Sequence, residues 1–503
     1  EGFLKGVPAM KKWKKNLKCT VEEKLSFQDE SRLLKEKAGI EPKNPGKARP
    51  YVNYGKTAAK VVGISLAATA ALVVLVPLAG FLIAGFKTKN NYRPVQRNYS
   101  LHEQQQIRED TFRRMNSFEY PSGSELRPVS KDYQNAVSDF SYEAYLGLNK
   151  EDNTFFSPLS AYLHLDILSH GVKNSSLSSK MDEVLHLNSS SRESNFLPAF
   201  LSNRDPGKEG SSHVEMNQLF FLDHKETFQD SYLDYLTSVY CEAYSLDLEK
   251  AKDINLMVDI VNSKVNQSVL SSQDLLVDEY TRAFLFNTVD FFGSWGFDGS
   301  KTQKQNFYPS SGEAYVVPFM HHSFLGSAYD YGDYFSFRLS YGGGYSMQFI
   351  TPKERGGDIA SIAKKTNFLV EDESKKYVAT IRGEETTQFI IDVALPRFQA
   401  DCSLSFKDLF SSMGLGTLYS RDLSPLTGIS NGDPLYIQET KQKNHIFWDE
   451  SGTTAKTITW SGIGAGAAAP TITGLAFDLD SPFLYVIRDR NDLPLYMGRV
   501  DRP

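Results

Sequence analysis

Residues 61–86 read VVGISLAATAALVVLVPLAGFLIAGF, a run of 26 apolar or small residues without a charge, between Lys60 and Lys87. At a rise of about 1.5 Å per residue, a helix of this length spans roughly 39 Å, more than the ~30 Å hydrocarbon core of a bilayer. Pro77 is tolerated in a membrane helix as a kink. A buried core helix seldom continues so far without a polar face. The run therefore predicts a single transmembrane helix.

The charge distribution orients this helix. Residues 1–60 contain 15 Lys or Arg against 7 Asp or Glu, so the rest of the chain holds 40 basic and 54 acidic residues. The flank with more Lys and Arg stays on the cytoplasmic side. Residues 87–97 also contain four basic residues, so the difference in basic charge between the two flanks of the helix is moderate. We expect a cytoplasmic N-terminal segment, a single-pass protein of the cell membrane and an extracytoplasmic C-terminal part. Anionic lipid is the simpler partner of the basic segment, and no nucleic acid is expected.

Four regions follow from the composition: a basic segment (1–60), the membrane helix (61–86), a polar stalk (87–128) and a globular domain (129–503). Apolar residues at helical spacing predict helices over 133–146 and 160–168. Strand-like runs occupy 283–292, 345–350, 387–395 and 483–487, and a terminal hairpin pairs the last of these with 495–500. Helices and strands are mixed without regular alternation, which favours an α+β fold. The three cysteines, Cys19, Cys241 and Cys402, allow at most one external pair.

The glycine-rich stretch GIGAGAAAP, residues 462–470, matches a dinucleotide-binding loop when it is read as Gly462-x-Gly464-x-x-Ala467. Such a loop requires a helix whose first amides face the pyrophosphate. Pro470 and the β-branched residues after it prevent a helix of useful length. The stretch is not expected to bind a nucleotide.

Two other motifs suggest catalysis or metal binding only superficially. Residues 428–432, GISNG, match a hydrolase nucleophile elbow, but they lie in a loop before a strand rather than between a strand and a helix. His321 and His322 are neighbours on a predicted strand and point to opposite faces. We therefore expect no catalytic residue, no metal site and no cofactor.

Several segments, in the correct order, resemble conserved motifs of one protein family: 153–160 (NTFFSPLS), 287–295 (NTVDFFGSW), 395–398 (LPRF), 413–415 (MGL), 422–424 (DLS), 477–483 (FDLDSPF) and 494–498 (PLYMG). The family is that of the serpins, which are protease inhibitors. The resemblance implies an α+β serpin fold for residues 129–503, with three β-sheets, about nine helices and an exposed reactive-centre loop at about 450–476. It implies an inhibitor rather than an enzyme.

Residues 450–455, ESGTTA, resemble the hinge at the start of the serpin reactive-centre loop, formed here by Glu450, Gly452, Thr453, Thr454 and Ala455. In serpins a target protease cleaves this loop, becomes acylated, and is trapped when the loop enters the large sheet as a new strand. Alternate residues of that strand face the core and must be small. One face here carries Thr453, Ala455, Thr457 and Thr459, whereas the other carries Lys456, Ile458 and Trp460. The pattern favours an inhibitory serpin over a non-inhibitory one that binds a ligand or is simply cleaved.

The family's usual loop length, counted forward from Glu450, puts the cleaved bond between Gly466 and Ala467. Counting back from the terminal strand puts it near Thr471, and we prefer the forward count because the inserted strand must reach the far end of the sheet. Ala465, Ala468 and Ala469 are alternative sites. Glycine and alanine suit the shallow pocket of elastase-like or subtilisin-like serine proteases. A papain-like cysteine protease is the minor alternative.

The resemblance also implies two structural sites beneath the loop. Trp295 corresponds to the breach, where the loop first enters the sheet, and Ser157, Ser160 and Asn287 correspond to the hydrogen-bonded shutter. The family's shutter histidine aligns with Gln442, so this network must differ here. Together these features predict a membrane-anchored, monomeric suicide inhibitor, with a non-inhibitory serpin-fold surface protein as the alternative.

Overall fold

The structure is a computed structural model that describes residues 113–120, 128–148, 153–205, 211–265, 270–365, 367–381, 384–453 and 474–503. The α-helices within these ranges are Lys131–Gly147 (α1), Pro158–Ser169 (α2), Ser175–Val184 (α3), Ser189–Leu201 (α4), Asp230–Ser238 (α5), Ala251–Val265 (α6), Ile359–Lys365 (α7) and Lys407–Phe410 (α8). The strands are Phe155–Phe156 (β1), Arg204–Asp205 (β2), His213–Asp223 (β3), Cys241–Leu246 (β4), Ala283–Phe292 (β5), Gln303–Phe307 (β6), Tyr315–Gly326 (β7), Ala328–Asp330 (β8), Tyr334–Ser340 (β9), Ser346–Pro352 (β10), Ala379–Ile381 (β11), Glu384–Thr386 (β12), Phe389–Pro396 (β13), Phe398–Ser405 (β14), Lys441–Asp449 (β15), Gly452–Thr453 (β16), Gly474–Asp478 (β17), Phe483–Arg488 (β18) and Pro494–Val500 (β19).

Local sequence explains the two helices at the centre of the fold. The hydroxyl of Ser130 caps α1 by accepting a hydrogen bond from the amide of Tyr133, and Val137 and Phe140 continue its buried face. Helix α2 begins with Pro158, which is favoured at a first helical position, and is buried along almost its whole length. It packs against β5 and β19, so it connects the core beneath two different sheets.

Five hydrogen-bonded sheets occur in the described ranges. A six-stranded sheet has the order β1-β19-β18-β10-β9-β8, and a four-stranded sheet has the order β17-β13-β7-β6. A third group contains β2-β3-β4 with β5 on the other side of β3, and a fourth contains β14-β15-β16. Strands β11 and β12 form a small hairpin. A large hydrophobic core lies between these sheets and the helices, and a second, smaller cluster lies between α6 and the strands β3 and β4.

The local predictions agree with the structure. The strand predicted over 283–292 is β5, the helices over 133–146 and 160–168 lie within α1 and α2, and the terminal hairpin is the antiparallel pair β18–β19. The described ranges contain eight helices, where the family resemblance implied about nine. Three sheets were expected and five are found, because a cleft divides the expected large sheet into two half-sheets and the hairpin stands apart.

The predicted membrane helix and the possible disulfide have different outcomes. The predicted transmembrane helix, residues 61–86, lies outside the described residues, as do the whole of the basic segment and most of the stalk. Among the helices that are described, none is long and apolar enough to cross a bilayer. The pair of Cys241 with Cys402, the one external disulfide that the sequence allowed, does not form, because Cys241 is a free and buried thiol.

Candidate functional site: a hinge at the end of an open cleft

Strand β15 ends in a tight reversal that leads into β16. The chain turns at Ser451, whose amide donates to the carboxylate of Asp449, and β16 then pairs antiparallel with the end of β15. Gly452 has a φ of 141°, which side-chain-bearing residues rarely adopt. A Cβ at this position would also lie 2.2 Å from the carbonyl oxygen of Gly293. The reversal thus requires glycine for two independent reasons.

Thr453 is the point at which the two half-sheets meet. Its amide donates to the carbonyl of Gly293 at 2.8 Å, and the amide of Gly293 donates to its carbonyl at 3.1 Å. Its side chain is 1% exposed, and its hydroxyl lies 2.6 Å from that of Tyr341. Tyr341 stacks on Trp295 with ring centroids 5.4 Å apart, and the indole N–H of Trp295 donates to the carbonyl of Asp449 at 2.7 Å. The side chains around Trp295 therefore hold the first residues after the reversal.

Glu450 fixes the outer side of the same reversal. The guanidinium of Arg397 donates to its carboxylate from Nε at 3.0 Å and from a terminal nitrogen at 2.7 Å, and the hydroxyl of Thr302 donates to it as well. Partial burial raises the pKa of Glu450, but the hydrogen bonds from Arg397 and Thr302 outweigh burial and lower it below its ordinary value. The carboxylate stays ionised at neutral pH and keeps the beginning of the hinge in place.

Beyond Thr453 the two half-sheets separate around a cleft. In the part of the chain that the structure describes, no ladder joins β5 to β15, and the space between them has a volume of about 920 Å³. Its walls come from β5, β15, α2 and α6, and Thr453 lies at one end of it. We call this space the cleft and residues 450–453 the hinge. The hinge enters the cleft in an extended conformation, between the strands that form its two walls.

The cleft walls carry polar groups that have no hydrogen-bond partner among the described residues. They are the hydroxyls of Ser157 and Thr288, both side-chain polar atoms of Asn287 and the amide nitrogen of Asn444. Leaving buried polar groups unpaired is costly, on the order of 1–3 kcal/mol each. A strand that entered between β5 and β15 would bring the backbone donors and acceptors that such walls lack.

Comparisons with known proteins agree with this architecture. The family model described as Serpin (serine protease inhibitor) matches residues 135–503. The chain belongs to the serpin family. Human Serpin I2 is 27% identical over 387 residues, which cover 73% of this chain and 90% of that protein. Antithrombin-III of Mus musculus is 27% identical over 375 residues, which cover 71% of this chain and 77% of that protein. The crystal structure of Serpin48 from the insect Tenebrio molitor is similar with a TM-score of 0.61 at 21% identity, covering 74% of this chain and 99% of that one.

In this serpin Gln442 connects β15 to the start of α2. Its amide oxygen accepts from the backbone N–H of Ser157 at 2.7 Å, and its amide nitrogen donates to the carbonyl of the same residue at 3.0 Å. Gln442 therefore forms a two-bond clamp to the backbone of Ser157. Ser160 and Asn287 line the same cleft, but neither is hydrogen-bonded to Gln442. The four predicted shutter residues are close together without forming one network.

The serpin loop is anchored at its distal end by β17, which pairs in parallel with β13 from Gly474 onwards. Thr454 and Ala455 of the predicted hinge lie outside the described residues. So do all candidates for the cleaved bond, which are Ala465, Gly466, Ala467, Ala468 and Ala469. The structure describes both ends of this loop and not residues 454–473 between them.

Four residues of the serpin site were missed by the sequence analysis. Tyr341, Arg397 and Thr302 hold the hinge from distant parts of the chain, and although Arg397 lies in the LPRF motif, no local pattern indicates that any of them contacts the hinge. His164 lines the cleft from α2, where burial lowers its pKa to about 4. The only available signal was a polar residue within the apolar run of α2.

Proposed function

We propose that this serpin is a suicide inhibitor of serine endopeptidases with a shallow specificity pocket, of the elastase-like or subtilisin-like kind. The proposal includes a monomeric inhibitor domain outside the cell, attached to the membrane through residues 61–86. A papain-like cysteine protease is a less favoured target.

The observation that carries the proposal is the position of Thr453. It is hydrogen-bonded to both half-sheets at one end of a cleft whose walls carry several unpaired polar groups. A strand continuing from Thr453 would place Ala455, Thr457 and Thr459 on the same inward face, because side chains alternate along a strand. These residues are small and uncharged, so the loop can fill the cleft without burying bulk or charge.

The covalent step follows from the chemistry of the target. The protease hydroxyl attacks the carbonyl carbon of Gly466, an ester bond forms, and the amide bond to Ala467 breaks. The new amino group of Ala467 takes the proton and leaves with the C-terminal fragment. Entry of the cleaved loop into the cleft then drags the ester-linked protease along the sheet and disorders its active site, so that the protease no longer activates the water that would hydrolyse the ester.

Incubation of the full chain with neutral elastase tests this function. We expect a covalent complex that survives SDS, together with a short C-terminal fragment whose first residue identifies the cleaved bond. Only clipped protein, with no complex, would refute inhibition and favour the substrate-type or ligand-binding alternative. Trypsin, which requires Lys or Arg before the cleaved bond, should form less complex, because no Lys or Arg lies between Lys456 and Arg488.

A matched pair of variants tests the inward face. Ala455→Arg places charge and bulk toward the core and should convert the inhibitor into a substrate. Thr454→Arg makes the same change one residue earlier, on the outward face, and should leave most of the complex intact. Equal complex formation by the two variants would contradict the alternation on which the proposal depends.

The membrane attachment is tested separately. Deletion of residues 61–86 should release the protein from the membrane fraction of cells that express it. In intact cells, added protease should digest the inhibitor domain and spare an epitope tag placed at residue 1. A deletion variant that stays in the membrane fraction would refute the anchor without affecting the inhibitor proposal.

A further inference from the structure

Residues 113–120, which we call the edge strap, lie before the part of the chain that matches the serpin family, residues 135–503. They nevertheless pack against the domain. Arg114 forms an antiparallel bridge with Tyr244, and the amide of Met115 donates to the carbonyl of Ala243 at 2.7 Å. Strand β4 is the last strand of its half-sheet, so the strap covers an edge that would otherwise be open.

Asn116 extends this pairing with its side chain. Its amide oxygen accepts from the backbone N–H of Ala243 at 3.0 Å, and its amide nitrogen donates to the carbonyl of Cys241 at 2.9 Å. The same nitrogen lies 3.1 Å from the hydroxyl of Thr237 in α5. One asparagine thereby pairs with two backbone groups at the edge of β4 and reaches the preceding helix.

Two arginines of the strap also contribute to the interface of β4 with α6. Arg113 forms an ion pair with Asp253, a residue of α6 that is 2% exposed. Arg114 lies 4.0 Å from the buried carboxylate of Glu242 in β4, which accepts a hydrogen bond from Lys264 of α6 at 2.8 Å. Burial raises the pKa of Glu242, but Lys264, Tyr244 and Arg114 together lower it below its ordinary value. The strap thus adds positive charge where α6 rests on the sheet edge.

An aromatic cluster anchors the far end of the strap. Phe118, Tyr120 and Tyr240 have ring centroids 5.3–5.5 Å apart in all three pairs. The guanidinium of Arg204 lies 3.8 Å from the ring centroid of Tyr120, and that of Arg114 lies 4.7 Å from the ring centroid of Phe118. The strap is therefore held at both ends.

Helix α6, to which Arg113 is bound, forms part of the cleft. Val261, Asn262 and Val265 of α6 line the space between β5 and β15. A strand that fills this space would lie against these side chains, and a shift of α6 would give it room to enter. Any contact that holds α6 on β4 opposes that shift.

We propose that the edge strap is a brake on loop insertion: by tying α6 to the outer edge of the half-sheet, it slows the opening of the cleft. The inference rests on the proposed loop insertion. The edge strap would control how fast the loop enters the cleft, both before and after cleavage. The strap contact that breaks during the shift is the ion pair of Arg113 with Asp253 of α6, and the hydrogen bonds of Asn116 to β4 and α5 hold the strap in the position from which Arg113 reaches that helix.

Hydrogen exchange and peptide uptake by the full-length protein test the brake. The variants Arg113→Ala and Asn116→Ala should each speed the exchange of α6 amides about tenfold, as expected for the loss of a hydrogen bond or ion pair to a buried group. They should also speed by a similar factor the uptake of a fluorescent synthetic peptide, TTAKTITWSGIGA, which copies residues 453–465. Arg113→Lys should restore part of the slow rate, because it keeps the charge.

Two controls distinguish a brake from general destabilisation. Lys365→Ala removes an exposed ion pair between Lys365 of α7 and Asp333. It should change neither the exchange rate of α6 nor the rate of peptide uptake. Tyr142→Phe removes a hydrogen bond to the carbonyl of Ala363 and should lower the melting temperature without speeding exchange in α6. Wild-type exchange in both strap variants, or equal acceleration by Tyr142→Phe, would overturn the brake. Faster α6 exchange together with no covalent complex would instead support the brake and refute protease trapping.

Discussion

Replacing Tyr341 by Phe removes the hydroxyl that lies 2.6 Å from that of Thr453. The two residues are 3% and 1% exposed, so water cannot replace the lost partner. A buried hydroxyl left unpaired costs about 1–3 kcal/mol, more than the net worth of a neutral hydrogen bond. We therefore expect Tyr341→Phe to lower the free energy of unfolding by about 2 kcal/mol.

The reciprocal variant, Thr453→Val, should cost less. The hydroxyl of Tyr341 also lies 3.5 Å from the sulfur of Met347, a weak acceptor that remains after the threonine hydroxyl has gone. The double variant leaves neither hydroxyl unpaired and should be more stable than Tyr341→Phe alone. The expected coupling between the two sites is about 1–2 kcal/mol.

Urea unfolding followed by tryptophan fluorescence measures this cycle, with Trp295 stacked directly on Tyr341 as a local reporter. Tyr142→Phe, which loses a hydrogen bond far from the hinge, should combine additively with Thr453→Val. Additive costs for Tyr341→Phe and Thr453→Val would refute the reasoning. So would a larger cost for Thr453→Val than for Tyr341→Phe.

Three further predictions concern the cleft and the hinge. Because burial lowers the pKa of His164 to about 4, the native protein takes up this proton only below that pH, whereas the unfolded chain takes it up below about 6.5. Stability should fall as the pH decreases through this window, by up to roughly 3 kcal/mol, and His164→Gln should remove that part of the decline in urea midpoints; an unchanged slope would contradict the assignment. Gly452→Ala should lower the melting temperature more than Gly356→Ala, since both have positive φ but a Cβ at residue 356 meets nothing within 4 Å; equal losses would show that the clash is absent. Arg397→Ala should cost about 0.5–1 kcal/mol at neutral pH, and because the pKa of Glu450 is lowered in the native state, the difference from wild type should vanish as Glu450 is protonated; a cost that persists in acid would mean that the ion pair is not its source.

Sequence periodicity was sufficient to predict those helices and strands whose pattern is local. The strand at 283–292 and the final hairpin were predicted with almost the observed bounds, because alternation and turn residues are local signals. The position of Gly452 in the hinge could likewise be inferred from its motif. The division of the large sheet into two half-sheets could not be inferred from the sequence. It depends on whether β5 and β15, which are more than a hundred residues apart, pair with each other. Arg397 was missed for the same reason, because its partner Glu450 is 53 residues away.

The sequence by itself determined that this chain has an α+β serpin domain with a glycine at the start of the hinge, and it predicted a bait loop of small residues, because these depend on residue type and order. Only the tertiary structure decided which groups hold the hinge, how Gln442 contacts the backbone of Ser157, and that residues 113–120 belong to the edge of the domain. These features depend on atoms that folding brings together from remote positions, and on whether a buried polar group meets a partner. A sequence pattern does not show which remote residues come into contact after folding. The hinge was therefore recognisable from its motif, whereas the side chains that restrain it were not.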